Sequence, residues 1–199
     1  MATFSCPSKC EPYCKNKIDS SCKLSIYWKN ILESEGPPFK KLSGAFRERV
    51  ISFLKRMPES IQPKSLTAIV QASIQPPAMI GNPATTIQNY IVILPYANRS
   101  EVDFERVILH EIMHHMLTDD WLNIFHKYVK NFGWHKGIRN GKFVEIDGKD
   151  SADEDFVNNI EYYFFDKSKL SSLNPEIKVW IDKNLKNKLN LKEVCYEKN

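Results

Sequence analysis

A five-residue pattern, His-Glu-Ile-Met-His at positions 110–114, constrains this chain more than any other feature. On an α-helix, residues four apart lie on the same face, roughly 6 Å apart along the axis. The pattern therefore places the imidazoles of His110 and His114 side by side, where their neutral nitrogens can bind one Zn²⁺ ion. Glu111 lies about 100° around the helix from His110. Its carboxylate can reach a water molecule at the metal without binding the metal itself.

The residues around this pattern indicate a buried helix. Positions 107–117 are apolar on nearly every side except at the histidines and the glutamate, as in a helix inside a protein. Two histidines and a carboxylate are costly to bury without a partner, and a metal ion is such a partner. The chemistry that this predicts is hydrolytic: zinc acidifies a water molecule, and Glu111 passes its proton to a leaving amine.

Length and composition predict a single core. The 199 residues are 42% apolar, which suffices for one well-filled core. No run approaches the ~18 apolar residues of a membrane span, and positions 1–6 lack the basic-then-apolar pattern of a signal peptide. We therefore expect no membrane span. The protein is expected to be cytoplasmic, to be a mature form whose signal peptide has been removed, or to be secreted by a dedicated system. The net charge of +4 is modest and no nucleic-acid-binding motif is present, which argues against a nucleic-acid partner.

Four cysteines crowd the first 22 residues, at Cys6, Cys10, Cys14 and Cys22. Their x3, x3 and x7 spacings do not match the usual C-x2-C zinc knuckle. Two disulfides would suit an oxidising compartment, and four thiolates on a second metal would suit a reducing one. Free thiols are the third possibility. We expect residues 1–35 to form a Cys-rich N-terminal appendage, and residues 36–199 to form the main domain.

The rest of the chain mixes predicted helices and strands. Positions 24–32, 46–54 and 121–129 show helical periodicity. Residues 66–70 and 90–94 are typical of strands, with a loop predicted over residues 75–86 between them. The second of these strands precedes the predicted metal-binding helix. A strand at this place can border a substrate cleft or be an ordinary core strand, and an edge strand can be both. Further helices are predicted to begin after Ser100, at Ser151 and at Asn174.

A catalytic zinc ion needs a third protein ligand, and two acidic residues compete for this role. Asp120 lies ten residues past His110, but the extended motif that uses this spacing turns at a glycine, and Leu117 occupies that position. Glu154 lies in the first turn of a separate apolar helix. Ser151 and Glu154 also fit a capping box, in which the carboxylate would bond only the backbone. Glu161, two turns further on, is the natural carboxylate either to support a ligand or to replace Glu154 as the ligand.

The two helices together resemble the lethal-factor-like zinc peptidases, the group that includes the proline-proline endopeptidases. The resemblance is carried by residues 110–114 and by Glu-Asp-Phe-Val at 154–157, where the family reads approximately E-[DF]-F-A-E. It covers roughly residues 88–186. It implies that His110, His114 and Glu154 bind zinc and that Glu111 is the base.

The chain departs from the family at two positions. Asn158 stands where the family has a second acidic residue, and Asp147 stands where it has a tyrosine that stabilises the oxyanion. Loss of an oxyanion donor typically costs 10²–10³ in rate. His135, Tyr128 and Tyr162 are the residues predicted to take over this role; otherwise the enzyme is slow or degenerate.

These observations predict an α+β protein of the zincin type, with a small mixed sheet packed on the metal helix and on a second helix that bears Glu154. The predicted function is that of a zinc metalloendopeptidase, a hydrolase that acts on peptides or proteins. The alternative is a catalytically weak or inactive zinc-binding module that acts by contacting a protein or nucleic acid.

Overall fold

The computed structural model describes residues 23–97, 101–118, 120–135 and 139–189, with backbone only at 101–103. Within them lie eight α-helices and four strands. The helices are α1 (Ile26–Glu33), α2 (Gly44–Arg56), α3 (Glu101–Thr118), α4 (Leu122–Asn131), α5 (Ala152–Phe165), α6 (Lys167–Leu173), α7 (Pro175–Asn184) and α8 (Lys186–Leu189). The strands are β1 (Lys40–Lys41), β2 (Ala68–Gln71), β3 (Ala84–Ile87) and β4 (Tyr90–Ile93). The predicted mixed α+β class is confirmed at this level.

The four strands form one mixed sheet in the order β1-β2-β4-β3. β2 and β4 are parallel, whereas β1 and β3 are antiparallel to their neighbours. The sheet corrects one expectation: residues 84–86, predicted as part of a loop, belong to β3, which forms an edge of the sheet. For β4, both a position beside a cleft and an ordinary core position were open from the sequence, and the structure pairs this strand on both sides.

Alternating side chains divide the sheet into two apolar faces, as the period of two in a strand requires. Ile69, Ile91 and Ile93 lie in the main core together with the helices. Val70 and Val92 lie in a smaller cluster on the opposite face. One face of the sheet is thus covered by the helical layer, and this layer includes the helix that carries His110 and His114.

Helix α3 runs through the main core. Ile108, Leu109, Ile112, Met113 and Met116 are each 0% exposed, so the apolar positions of the motif are fully committed to packing. Burying such side chains stabilises a fold by about 1.5–3 kcal/mol each. The core therefore fixes the rotation of α3, and with it the direction in which the two histidines project.

Helix α1 packs into this same core, through Trp28, Ile31 and Leu32. It belongs to the predicted appendage of residues 1–35. The four clustered cysteines lie outside the described residues, so the division at residue 35 and the state of these thiols stay predictions. Ser100, predicted as a helix cap, also lies outside them. Within the described residues, no helix is both long and apolar enough to cross a membrane.

Candidate metal centre

The two motif histidines face one another on α3. Nε2 of His110 lies 3.1 Å from Nε2 of His114, and the rings meet edge to face with centroids 4.8 Å apart. Both side chains are about one fifth exposed, at 18% and 19%. The helical spacing therefore does what the sequence predicted: it directs two ring nitrogens to one point at the surface of the core.

Glu154 reaches the same point from α5, which packs beside α3. Its Oε2 lies 3.2 Å from Nε2 of His110, and its Oε1 lies 3.5 Å from Nε2 of His114. Ser151 caps α5 by accepting a hydrogen bond from the Glu154 backbone N–H, at 3.3 Å. The cap thus involves only the backbone of Glu154 here, and the carboxylate is directed to the histidines.

We call these three residues the His–His–Glu cluster. Each offers one ligand atom, and these atoms lie within 4.8 Å of one another. Ligands bound tetrahedrally to zinc at 2.0–2.1 Å lie about 3.3 Å from one another. The observed separations of 3.1, 3.2 and 3.5 Å match this spacing. The donor set of two imidazoles and one carboxylate also fits zinc, so the residues present suit the ion that the sequence predicted.

The other ring nitrogen of His110 has a carboxylate partner, Glu161, two turns along α5 from Glu154. Oε2 of Glu161 lies 3.3 Å from Nδ1 of His110. Its Oε1 accepts hydrogen bonds from Arg106 Nε at 2.8 Å and from Arg106 Nη2 at 2.5 Å. A carboxylate at Nδ1 fixes the orientation of the ring and leaves Nε2 to face a metal. The sequence indicated Glu161 as a carboxylate near the predicted ligands, but it did not indicate the arginine that contacts it.

The hydrogen bonds within the His–His–Glu cluster and to Glu161 shift the pKa values of His110 and Glu154. Burial lowers the pKa of His110, but the hydrogen bonds to Glu154 and Glu161 outweigh it and raise that pKa to about 10. Hydrogen bonds from His110 and His114 hold the pKa of Glu154 well below its usual value. The carboxylate is therefore ionised at neutral pH, as a metal ligand must be. A protonated imidazole has no free nitrogen lone pair, so a metal ion could bind His110 only after that proton is lost.

Glu111 lies next to the cluster without joining it. Its side chain is buried, at 8% exposure, and its Oε2 accepts a 2.7 Å hydrogen bond from the hydroxyl of Thr86 on β3. No sequence pattern indicated Thr86 as a site residue, because it lies in the segment predicted to be a loop.

A buried polar network anchors the first turn of α5. The residue after Glu154, Asp155, is 0% exposed and accepts hydrogen bonds from Tyr128, Trp134, Arg139 and Asn159 at 2.6–3.1 Å. A buried carboxylate is tolerated only when it is fully paired in this way. The network ties α5 to α4 and to the segment that follows α4, and so fixes the turn that carries the cluster's glutamate.

The cluster opens into a cleft of about 1220 Å³. Residues of α3 between Arg106 and Thr118 and residues of the edge strand β3 line this cleft. Asp147 and Asn158 also line it, and the Asn158 side chain donates a 2.7 Å hydrogen bond to the Asp147 carboxylate. The cleft is large enough to admit a segment of polypeptide.

The alternative third ligand, Asp120, is not brought to the histidines. Its carboxylate pairs with Lys64 at 2.8 Å, and it is 42% exposed. Because α3 continues through Leu117 to Thr118, the chain does not turn where the extended motif has its glycine. The structure therefore groups Glu154, and not Asp120, with the two histidines.

The three residues predicted to stabilise an oxyanion are also placed elsewhere. Tyr128 is buried in the Asp155 network, and burial together with that carboxylate raises its pKa well above the ordinary value. The Tyr162 hydroxyl bonds Glu145 and accepts from Lys169. His135 is exposed. Among the described residues that line the cleft, none of the three appears, so their predicted role has no counterpart there.

No protein-family model matches the sequence, and comparisons with curated proteins and with solved structures also find no match. The function must therefore be inferred from the cluster and from its surroundings.

Proposed function

We propose that this chain is a zinc-dependent metallopeptidase of the zincin class, similar to the lethal-factor-like peptidases, and that it hydrolyses internal peptide bonds of a peptide or protein. The observation that carries the proposal is the spacing of the His–His–Glu cluster, which suits tetrahedral zinc. A carboxylate outside that ligand set, on Glu111, lies beside it in an open cleft.

The three cluster residues would hold the metal, with His110 oriented by Glu161. A bound zinc ion supplies a Lewis acid that polarises the scissile carbonyl and acidifies water. Glu111 is the general base: it takes one proton from water as the water oxygen bonds the carbonyl carbon. It then delivers that proton to the amide nitrogen as the carbon–nitrogen bond breaks. The products are a carboxylic acid, which gains the hydroxyl group of the water, and an amine, which gains its hydrogen.

The roles are separated by position on the helix. His110 and His114 project together, whereas the Glu111 carboxylate is bonded to the strand β3. A ligand cannot also serve freely as a base, because coordination removes the lone pair that would take the proton. The side chain next to the ligands, and not one of them, is therefore suited to proton transfer.

Glu111→Gln tests this function. The amide keeps the size of the side chain but is not a base, so zinc content and fold should be retained. Cleavage of a broad peptide library, followed by mass spectrometry, should fall by about a thousandfold. The matched control is Glu176→Gln, which changes an exposed glutamate on α7 and should leave cleavage unchanged.

The result also separates the enzyme from the alternative, a zinc-binding module. Wild-type protein that holds one zinc ion and cleaves nothing in the library would favour the module. Cleavage that persists in Glu111→Gln would contradict the assigned base.

A further inference from the structure

The edge strand β3 presents its side chains alternately to two faces. Ala84 lies in the main core on the side of the helices, whereas Ile87 packs against the smaller cluster on the opposite face. The period of two in a strand then gives Thr86 the same face as Ala84. This places its hydroxyl over α3 and explains how a strand residue reaches the carboxylate of Glu111.

The contact between Thr86 and Glu111 is short and well defined. The hydroxyl oxygen lies 2.7 Å from Oε2 of Glu111, within the range of a hydrogen bond to an ionised acceptor. A carboxylate has no hydrogen to donate, so the threonine hydroxyl is the donor. Among the side-chain hydrogen bonds between described residues, this is the one that Glu111 makes.

We propose that Thr86 is a positioning residue for Glu111. The hydroxyl holds Oε2 and leaves Oε1 to exchange the proton between water and the leaving nitrogen. This inference rests on the proposed function, and it adds a residue from the edge strand to the proton-transfer machinery. A glutamate side chain has three rotatable bonds, and fixing one oxygen restricts the plane of the carboxylate. Thr86 itself neither binds the metal nor exchanges a proton.

Orientation of a base affects turnover more than binding. A base that samples wrong orientations spends less time in the reactive geometry, and this lowers kcat while leaving ground-state contacts unchanged. A threonine that served only to stabilise the strand would instead affect the melting temperature and leave kcat unchanged. A lower kcat with an unchanged KM therefore indicates that Thr86 positions the base, whereas an unchanged kcat indicates that Thr86 only stabilises the strand.

The first experiment measures steady-state kinetics of zinc-loaded protein on a peptide that the wild type cleaves. Thr86→Val keeps the shape and removes the donor; kcat should fall about tenfold, with KM within about twofold and zinc content unchanged. Thr86→Ser restores the hydroxyl and should recover most of kcat. In a Glu111→Gln background, Thr86→Val should cause no further loss. Thr67→Val is the matched control, because that hydroxyl bonds the backbone carbonyl of Asn89 and does not line the cleft.

The second experiment does not depend on activity. Melting temperatures are measured for Thr86→Val, Glu111→Ala and the double variant. If the two side chains interact, the loss in the double variant should be smaller than the sum of the single losses. Additive losses would overturn the inference, as would unchanged kcat in Thr86→Val.

The results that would overturn the inference about Thr86 can be distinguished from those that would overturn the proposed function. If zinc-loaded wild type cleaves no peptide, the proposed function falls, and the inference falls with it. If the wild type cleaves the peptide and Thr86→Val has the same kcat as the control Thr67→Val, the inference about Thr86 is overturned and the proposed function stands. Should Thr86→Val not fold, Thr86→Ala provides a second variant without the hydroxyl, to be compared with Thr86→Ser.

Discussion

Glu161 lies behind the imidazole of His110: its Oε2 is 3.3 Å from Nδ1, on the ring nitrogen that faces away from the His–His–Glu cluster. The carboxylate is itself held by two hydrogen bonds from Arg106. An arginine on α3 thus fixes a glutamate on α5, which in turn fixes a histidine one turn further along α3. The cluster is supported through this closed set of contacts between the two helices.

The first prediction follows from this support. Glu161→Ala should weaken zinc binding by about 10–100-fold, because loss of a carboxylate partner frees the imidazole to rotate and lowers its basicity. Affinity would be measured by competition with a chromogenic chelator, with circular dichroism to verify the fold. Glu176→Ala, an exposed change on α7, is the control. Equal affinity in both variants would mean that Glu161 does not orient the ligand.

A second prediction concerns the ligand set. Glu154→Ala should weaken zinc affinity by at least about tenfold, because it removes one of three ligands. Asp120→Ala should leave affinity nearly unchanged, because that carboxylate pairs with Lys64. His110→Ala and His114→Ala should lose the ion, whereas His126→Ala on the exposed face of α4 should not. Metal analysis after gel filtration provides the measurement.

One further outcome of that analysis would bear on the cysteines. A second equivalent of zinc that persists in the two histidine variants would be assigned to the thiolates near the N-terminus. Metal content that does not change in any of the variants would contradict the cluster as the zinc site.

A third prediction concerns zinc affinity and pH. The pKa of His110 is raised to about 10 in the metal-free protein, and zinc must displace that proton to bind Nε2. Apparent zinc affinity should therefore rise about tenfold per pH unit from roughly pH 6 to 8, if one proton leaves per ion. Chelator competition at several pH values measures the slope. An affinity that is flat over this interval would show that His110 is already neutral.

The same shift predicts how the stability of the metal-free protein varies with pH. A histidine whose pKa is raised on folding contributes stability that is fully present below its unfolded value of about 6.5 and is lost as the pH rises through about 10. The melting temperature of the metal-free protein should therefore fall as the pH rises over this interval. The fall attributable to His110 should disappear in His110→Ala. If the variant and the wild type decline in parallel, other groups cause the decline.

The fourth prediction tests the buried network behind the cluster. Arg139→Met leaves the Asp155 carboxylate buried without its charged partner, so the free energy of unfolding should fall by about 3–5 kcal/mol. Lys178→Met breaks the partly exposed Lys178–Asp182 pair and should cost at most about 1 kcal/mol. Chemical denaturation of both variants measures the difference. Similar losses would show that the Arg139 contact is no stronger than a surface pair.

Local patterns in the sequence determined the helices that carry the site. The spacing of His110 and His114 together with the apolar positions between them specifies α3, because both features depend on one helical period. Ser151 marks the start of α5, because a serine side chain can satisfy an N–H of the first turn. Neither inference requires knowledge of distant residues, and the structure has both helices.

Only the tertiary structure decided which groups meet. Glu154 joins the histidines, and Arg106 meets Glu161, across 40 to 55 positions of sequence, and no local pattern encodes such pairings. Strand β3 was missed because Ala-Thr-Thr-Ile at an edge of the sheet carries a weak apolar signal and follows a segment rich in proline and glycine. Pairing with β4 makes it a strand, and that pairing brings the Thr86 hydroxyl to Glu111.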